Sequence, residues 1–367
     1  MADGFKKYIL MHRELSVARM VLDEATGLIT AVNAIDNAEH LPLGVNVRKG
    51  VVDRAALNEW WMGRAIPASR AGLRHALEDS RHSITPFRLT FNVLRNPTAA
   101  FDTLRAENPA LYVSLRDQFI PAMEYTYTYD NASVRGKRNP IWWQTTVASA
   151  GNLTSAVYRI FGKPFSEEGK KLFGVPFAQF LKLNSEFRYH YRIDKNQMIA
   201  SRIAGGVIWS YGNATTAPYT EQFYIGGANS VRAFSARSIG PGGYPPETDR
   251  KYTYINHVGD IRIEANIEYR FRMIADLHGA VFLDAGNVWL MRKDENRPNG
   301  EFTLKNFPKQ IALGTGFGLR YDLDFLVFRL DLGIGLHDPY DTGKSGYYNI
   351  PKFKDSMALH FAIGYPF

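Results

Sequence analysis

Catalysis and metal binding need particular side chains at particular spacings, and this sequence supplies few candidates. It has no cysteine, which excludes a thiol nucleophile, a disulfide framework and a cysteine-ligated metal. His12, His40, His75 and His82 include no pair at the helical His-x-x-x-His spacing of a metal site, so they are interpreted as ordinary surface or half-buried histidines. We therefore expect no metal site.

Glycines spaced by two are a second candidate for chemistry, because Gly314, Gly316 and Gly318 loosely match a nucleotide-binding motif. They fall within an alternating strand pattern and not before a helix, which favours relief of crowding on one face of the strand. The sequence also shows no His-Ser-Asp constellation and no phosphate-binding loop. We predict a protein that is not an enzyme and that uses no cofactor.

Long β-strands are the elements that position the remaining polar residues. Between 260 and 271, apolar and polar residues alternate almost perfectly, with Ile267 and Tyr269 on one face and Glu268 and Arg270 on the other. Similar patterns occur at 86–94, 119–130, 141–151, 177–193, 197–211, 279–289, 311–322, 326–336 and 356–367. A soluble, half-buried strand also alternates, but about ten strands, several of ten or more residues, match a barrel with lipid outside and water inside.

The connections between these strands give independent support. Short links near 195, 274–277 and 322–324 alternate with long polar links at about 211–258, 290–309 and 338–355. This asymmetry is typical of the periplasmic turns and extracellular loops of outer-membrane barrels. No stretch approaches the roughly 18–20 apolar residues of a membrane helix.

Charge and the start of the sequence bear on partners and location. The net charge of +8 is spread along strands and loops, so we expect no nucleic-acid partner. The charged segment 1–7 is followed by no apolar region, and we expect no export signal in this chain.

The first 80 residues have a different hydrophobic periodicity from the rest of the sequence. Helical spacing at 54–62 and 69–78, with strand-like runs at 8–11 and 18–22, predicts a small soluble α/β segment. The short sequences at 10–13, 22–27, 40–45 and 66–70 resemble the N-terminal segment found beside HipA-like kinase domains, although no kinase motif follows. We therefore predict two domains, 1–80 of different origin and 85–367 as barrel, and suspect a fusion.

A motif between strands resembles a known family. Gly226 and Gly227, followed by Val231-Arg232-Ala233-Phe234, resemble the sixth-loop motif of the bacterial surface antigen, or BamA/TamA, outer-membrane assembly superfamily, with Ala233 in place of its usual glycine. The segments 266–271 and 282–289 also match, and the sequences of these motifs are most similar to those of TamA-like proteins of the Bacteroidetes. The resemblance implies an all-β, antiparallel transmembrane barrel, of which about ten of sixteen strands are present.

The resemblance also assigns roles to residues. The two glycines let the loop turn tightly and fold back into the lumen. Arg232 then needs a buried anion, and Glu268 and Asp284 are the partners that the family implies. The terminal strand resembles a bacterial insertion signal, and its pattern places four residues on one face: Phe361, Ile363, Tyr365 and Phe367.

By this resemblance, the protein inserts or exports outer-membrane proteins, in contact with outer-membrane lipid, unfolded outer-membrane protein substrates and periplasmic assembly partners. The expected location is the outer membrane. The alternatives are a passive porin or solute channel, a soluble regulatory protein and a non-functional fusion fragment. Two-partner secretion transporters share the superfamily.

Overall fold

The computed structural model describes residues 5–12, 15–23, 28–42, 44–48, 50–62, 81–94, 99–107, 109–131, 139–246, 253–323 and 326–367. The chain divides into two compact units, Met1–Asp79 and Ser80–Phe367. The predicted helix at 69–78 lies outside the described residues.

The first unit is a small α/β structure. Its elements are β1 Phe5–His12, β2 Leu15–Asp23, β3 Ile29–Ile35, β4 Val47–Arg48, β5 Val51–Val52 and α1 Arg54–Met62. The first three strands form an antiparallel sheet, of which β3 was not predicted. Asp53 begins α1, because its carboxylate accepts hydrogen bonds from the N–H groups of Ala55 and Ala56 (3.1 Å each). Leu22, Ile29 and Leu57 lie in the buried core of this unit.

The second unit contains one large antiparallel sheet. Its strands are β6 Arg81–Asn92, β7 Gln118–Asp130, β8 Ile141–Ala150, β11 Phe180–Arg192, β12 Gln197–Ser210, β13 Ile261–Ile274, β14 Leu277–Trp289, β15 Ala312–Asp322, β16 Val327–His337 and β17 Met357–Ile363. A separate small hairpin is formed by β9 Lys171–Leu172 and β10 Val175–Pro176. The ten strands of the sheet follow chain order, which confirms the predicted strand count and direction.

The sheet is a partial barrel wall, as predicted. In the described part of the chain, β6 and β17 are its two edges and do not pair with each other. The short links between β11 and β12, between β13 and β14 and between β15 and β16 join the strands at one end of the sheet, and the long links after β12, β14 and β16 leave from the other.

Helices in the long links were not predicted. They are α2 Ala99–Glu107, α3 Pro109–Leu115 and α4 Asn152–Ile160. Within the described ranges, short 3-10 helices span Ala38–His40 in the first unit and Thr253–Ile255, Phe307–Gln310 and Phe353–Ser356 in the second. Strand alternation carries no information about the connections, so it cannot predict these helices.

The sheet has charged residues inside and apolar residues outside. Glu268 and Asp284 are fully buried, whereas Ile203, Ile267 and Leu283, on the opposite face, are 62%, 46% and 42% exposed. A soluble sheet would bury the apolar face, because exposing it to water costs about 25 cal/mol per Å². The polarity is that of a membrane barrel wall. None of the helices among the described residues is long and apolar enough to cross a membrane.

Candidate functional site

The connection from β12 to β13 folds against the inner face of the sheet. Its apolar residues Ile225, Val231 and Ile239 belong to one buried cluster with Phe180 and Val288 of the strands. The loop therefore packs against the wall as a core segment would.

Two glycines shape the motif loop, defined here as residues 226–234. Gly226 and Gly227 have φ values of +103° and +93°, a backbone region that other residues seldom occupy. A Cβ at Gly226 would also overlap the main-chain oxygen of Ser235. The N–H of Gly227 donates to the oxygen of Phe234 (2.9 Å), and this bond closes the loop on itself.

Arg232 lies at the centre of the loop and is fully buried. Its Nε and Nη2 donate to the two carboxylate oxygens of Asp284 (2.8 and 2.9 Å), and its main-chain N–H donates to the same carboxylate (3.1 Å). Its Nη1 pairs with Glu268. The structure thus brings together the arginine and both carboxylates that the family resemblance implied. A bidentate pair of this kind fixes the orientation of the guanidinium.

Further contacts to the loop were not predicted. The Arg232 guanidinium lies over the Phe282 ring, 3.5 Å from its centroid. Asn266, opposite Asp284 in the strand register, donates to the main-chain oxygen of Ser230 (3.0 Å) and to Asp284 (2.8 Å). Parity in β13 placed Asn266 on the inner face, and the family resemblance placed Asp284 on the neighbouring strand. Neither could show which side chains the loop would reach.

Further buried charges lie around Arg232 and its two carboxylate partners. Asp331 lies 3.7 Å from Arg232, 2.7 Å from Arg320 and 3.4 Å from Arg329, and all four side chains are buried. Arg320 also donates to Glu268 (3.1 Å). Parity had placed Arg329 and Asp331 on the inner face without assigning them to the loop. Buried charges are tolerated only when paired, so this network holds the loop by mutual neutralisation.

Glycines on the inner face make room for the loop, as proposed for Gly314 and its neighbours. A Cβ at Gly314 would overlap the Ala233 methyl, and a Cβ at Gly333 would overlap the main-chain oxygen of Arg232. Ala233, which departs from the family's glycine, therefore fits because Gly314 faces it. Phe234 is partly buried against the apolar cluster that holds the loop.

Both edge strands of the sheet contact this connection. On β17, Nε2 of His360 lies 2.8 Å from the main-chain oxygen of Arg232. On β6, Arg88 pairs with Glu221 (3.1 Å), and Glu221 also pairs with Lys182 of β11 (2.9 Å). The connection thus joins the two open edges from inside. Strand periodicity predicts neither contact, because Glu221 lies in a long link and parity gives His360 only a face of β17.

The predicted insertion signal needs a correction. Phe361 and Ile363 are exposed on the outer face of β17, but the strand ends at Ile363 because Gly364 adopts φ +82°. Tyr365 and Phe367 turn inward, where the Arg270 guanidinium lies 4.5 and 5.5 Å from their ring centroids. The prediction that all four share one face is therefore wrong for the last two.

Metal ligation has no candidate in the ranges that the structure describes, since no group of three or more His, Asp or Glu side chains there could hold an ion. His12 and His40 contact each other through Nδ1 (3.1 Å), and His82 contacts Tyr125 (2.5 Å). His75 lies outside the described residues.

Comparison with known proteins identifies relatives of the barrel part. Residues 171–367 match the Omp85 superfamily domain. Over 204 residues, or 54% of this chain, the sequence is 28% identical to the outer membrane protein assembly factor BamA of Nitratidesulfovibrio vulgaris, of which the match covers 22%.

Solved structures with a similar arrangement include BamA from Haemophilus ducreyi lacking POTRA domains 1–3, with a TM-score of 0.43 and 13% identity, over 68% of this chain and 44% of that one. CdiB from Escherichia coli is similar with a TM-score of 0.41 and 14% identity, over 67% and 37%. The chain spans less than half the length of these relatives.

Proposed function

The chain belongs to the Omp85 superfamily, and from this premise we propose that it inserts proteins into the bacterial outer membrane or exports them across it. The proposed partners are unfolded outer-membrane proteins, membrane lipid and periplasmic assembly factors. The observation that carries the proposal is the motif loop, held inside an open barrel wall by Arg232, Glu268 and Asp284.

The open edges of the sheet suggest how a substrate is engaged. A strand at a sheet edge presents unpaired N–H and C=O groups, and in lipid each unpaired group costs several kcal/mol. β17 is shorter than its neighbour and pairs only with Phe328–Ile334 of β16. An incoming strand that pairs with such an edge satisfies these groups, so edge pairing drives insertion without nucleotide or catalytic residue.

The loop argues against the passive porin. Ile225, Val231 and Phe223 are buried against strand residues, and the buried charges beside them are paired among themselves. A solute channel needs an open polar passage, which this packing obstructs. The outward apolar face likewise disfavours a soluble regulatory protein, since large exposed apolar patches in water promote aggregation.

Reconstitution tests the proposal. The full chain in lipid vesicles should accelerate the folding of an added, urea-unfolded barrel protein, measured as the heat-modifiable band on gel electrophoresis. Accumulation of substrate inside the vesicles would assign export in place of insertion. Steady ion conductance without faster folding would support the porin, and neither activity would support the non-functional fragment.

The first unit is proposed to have a separate origin and no part in this activity. Its compact boundary at Asp79, one residue from the predicted end of the segment, supports this proposal. Deleting residues 1–79 should leave insertion unchanged in the same assay. Loss of insertion in a variant that still folds would assign the unit a role.

A further inference from the structure

A cavity of about 410 Å³ lies at the end of the sheet where the short links are found. Its wall comes from the turn between β11 and β12, from β13, β14 and β15, and from Tyr365 beyond β17. The motif loop approaches the sheet from the opposite end, and the charge network that holds it borders the cavity through Arg270 and Arg320.

The cavity is lined by an excess of positive charge. Arg192, Lys195, Arg270 and Arg320 face one carboxylate in the lining, that of Asp194. Asp194 already accepts a hydrogen bond from the N–H of Asn196 (2.7 Å), which stabilises the turn. Four cations around so small a volume repel one another and favour a bound anion.

Carboxylates deeper in the wall do not remove this excess. Glu268 accepts hydrogen bonds from Arg270 (2.7 Å) and Arg320 (3.1 Å). Arg320 also lies 2.7 Å from Asp331, but Asp331 is shared with Arg232 and Arg329. The buried network therefore has one more guanidinium group than carboxylates: Arg232, Arg270, Arg320 and Arg329 against Glu268, Asp284 and Asp331.

We infer that this cavity binds a carboxylate group of an acidic polypeptide segment. Guanidinium groups suit planar oxyanions, and the Tyr365 ring that stacks on Arg270 adds an apolar wall for a peptide side chain. The volume falls in the range of small-ligand sites. The short turns of membrane barrels face the periplasm, so the cavity opens where unfolded chains arrive, an argument that rests on the proposed function.

Peptide binding to the full chain in detergent micelles tests the assignment. The probe is a fluorescent hexapeptide with three Asp residues, compared with the same peptide carrying Asn, by fluorescence anisotropy at low salt. The variant is Arg192→Gln with Lys195→Gln, both exposed at the cavity rim. The matched control is Lys352→Gln with Lys354→Gln, equally exposed in the long link before β17 and equal in charge removed.

The acidic peptide should bind at least about five-fold more tightly than the Asn peptide. The rim variant should lose about five-fold of this affinity, as expected for two exposed ion pairs. The control should change it by less than about two-fold. Equal loss in both variants, or phosphate binding without peptide binding, would overturn the inference. Binding with these properties by a chain that fails to insert proteins would refute the proposed function and leave the cavity assignment intact.

Discussion

Arg232 and Asp284 are joined by three hydrogen bonds, two from the guanidinium and one from the main-chain N–H. The carboxylate therefore fixes both the side chain of Arg232 and the backbone of the loop that carries it. A residue held in this way acts as an anchor for the loop position, because moving either part breaks bonds in a buried site.

Removing the anchor should release the loop. Arg232→Ala leaves the buried carboxylates of Glu268 and Asp284 without their common partner, and breaking such a pair typically costs about 3–5 kcal/mol. We expect faster protease cleavage within the 211–260 connection and lower insertion activity. Arg237→Ala is the control, since Arg237 is only half-buried and lies over the Tyr219 and Tyr224 rings. Equal effects of the two substitutions would place the anchor elsewhere.

The free-energy cost of a methyl group at position 314 should depend on Ala233. Gly314→Ala places two methyl groups on the same site, and overpacking of this kind costs about 1–3 kcal/mol. In an Ala233→Gly background the cost should largely vanish, giving a coupling energy that a double-mutant cycle of urea unfolding in lipid vesicles measures. Gly205→Ala is the control, because a Cβ there meets only a main-chain oxygen at 3.8 Å. Additive effects at 314 and 233 would contradict the packing argument.

Parity in the sequence predicted the inner-face carboxylates well. Alternation placed Glu268 inside, and the family motif singled out Glu268 and Asp284. The roles of Asp331, Arg320 and His360 could not be predicted, because they depend on how a long loop crosses several strands and not on the period of any one strand. Contacts between distant segments leave no local pattern.

At the end of β17, parity predicted a shared face that the structure does not have. The pattern Phe361, Ile363, Tyr365, Phe367 continues the period of two through Gly364, so parity alone predicts one unbroken face. The positive φ of Gly364 turns the chain. Alternation beyond Gly364 therefore no longer predicts which face of the sheet a side chain lies on. Burial of Phe367 beside Arg270 then follows from the lumen contacts and not from the strand.

Loop stability at high pH should depend on Tyr340, in the long link between β16 and β17. Burial, together with the neighbouring Asp338 carboxylate, raises the pKa of Tyr340 from 10.0 to about 12. The neutral phenol is favoured in the folded loop, so its contribution is present below pH 10 and is lost as the pH rises towards 12. The tyrosinate absorbance of the protein minus that of Tyr340→Phe should titrate near pH 12. A midpoint near 10 would show that the folded loop leaves this phenol in water.

Glu221 should hold the first edge strand to the connection. Its carboxylate joins Arg88 of β6 (3.1 Å) to Lys182 of β11 (2.9 Å), and Glu221 is 7% exposed, so Glu221→Ala removes the carboxylate that both cations share. We expect the separation of β6 from the connection to increase.

Because the natural chain has no cysteine, this separation can be measured with one engineered pair. Asn92→Cys and Thr220→Cys replace residues whose side chains are hydrogen-bonded at 3.0 Å, and the rate of disulfide formation between them should fall several-fold when Glu221 is replaced. Glu124→Ala is the matched control: Glu124 also approaches Arg88, but at 3.8 Å and with a side chain 32% exposed, where an ion pair contributes about 0–1 kcal/mol. Equal slowing by the two substitutions would mean that general charge near Arg88, and not the Glu221 bridge, positions the edge strand.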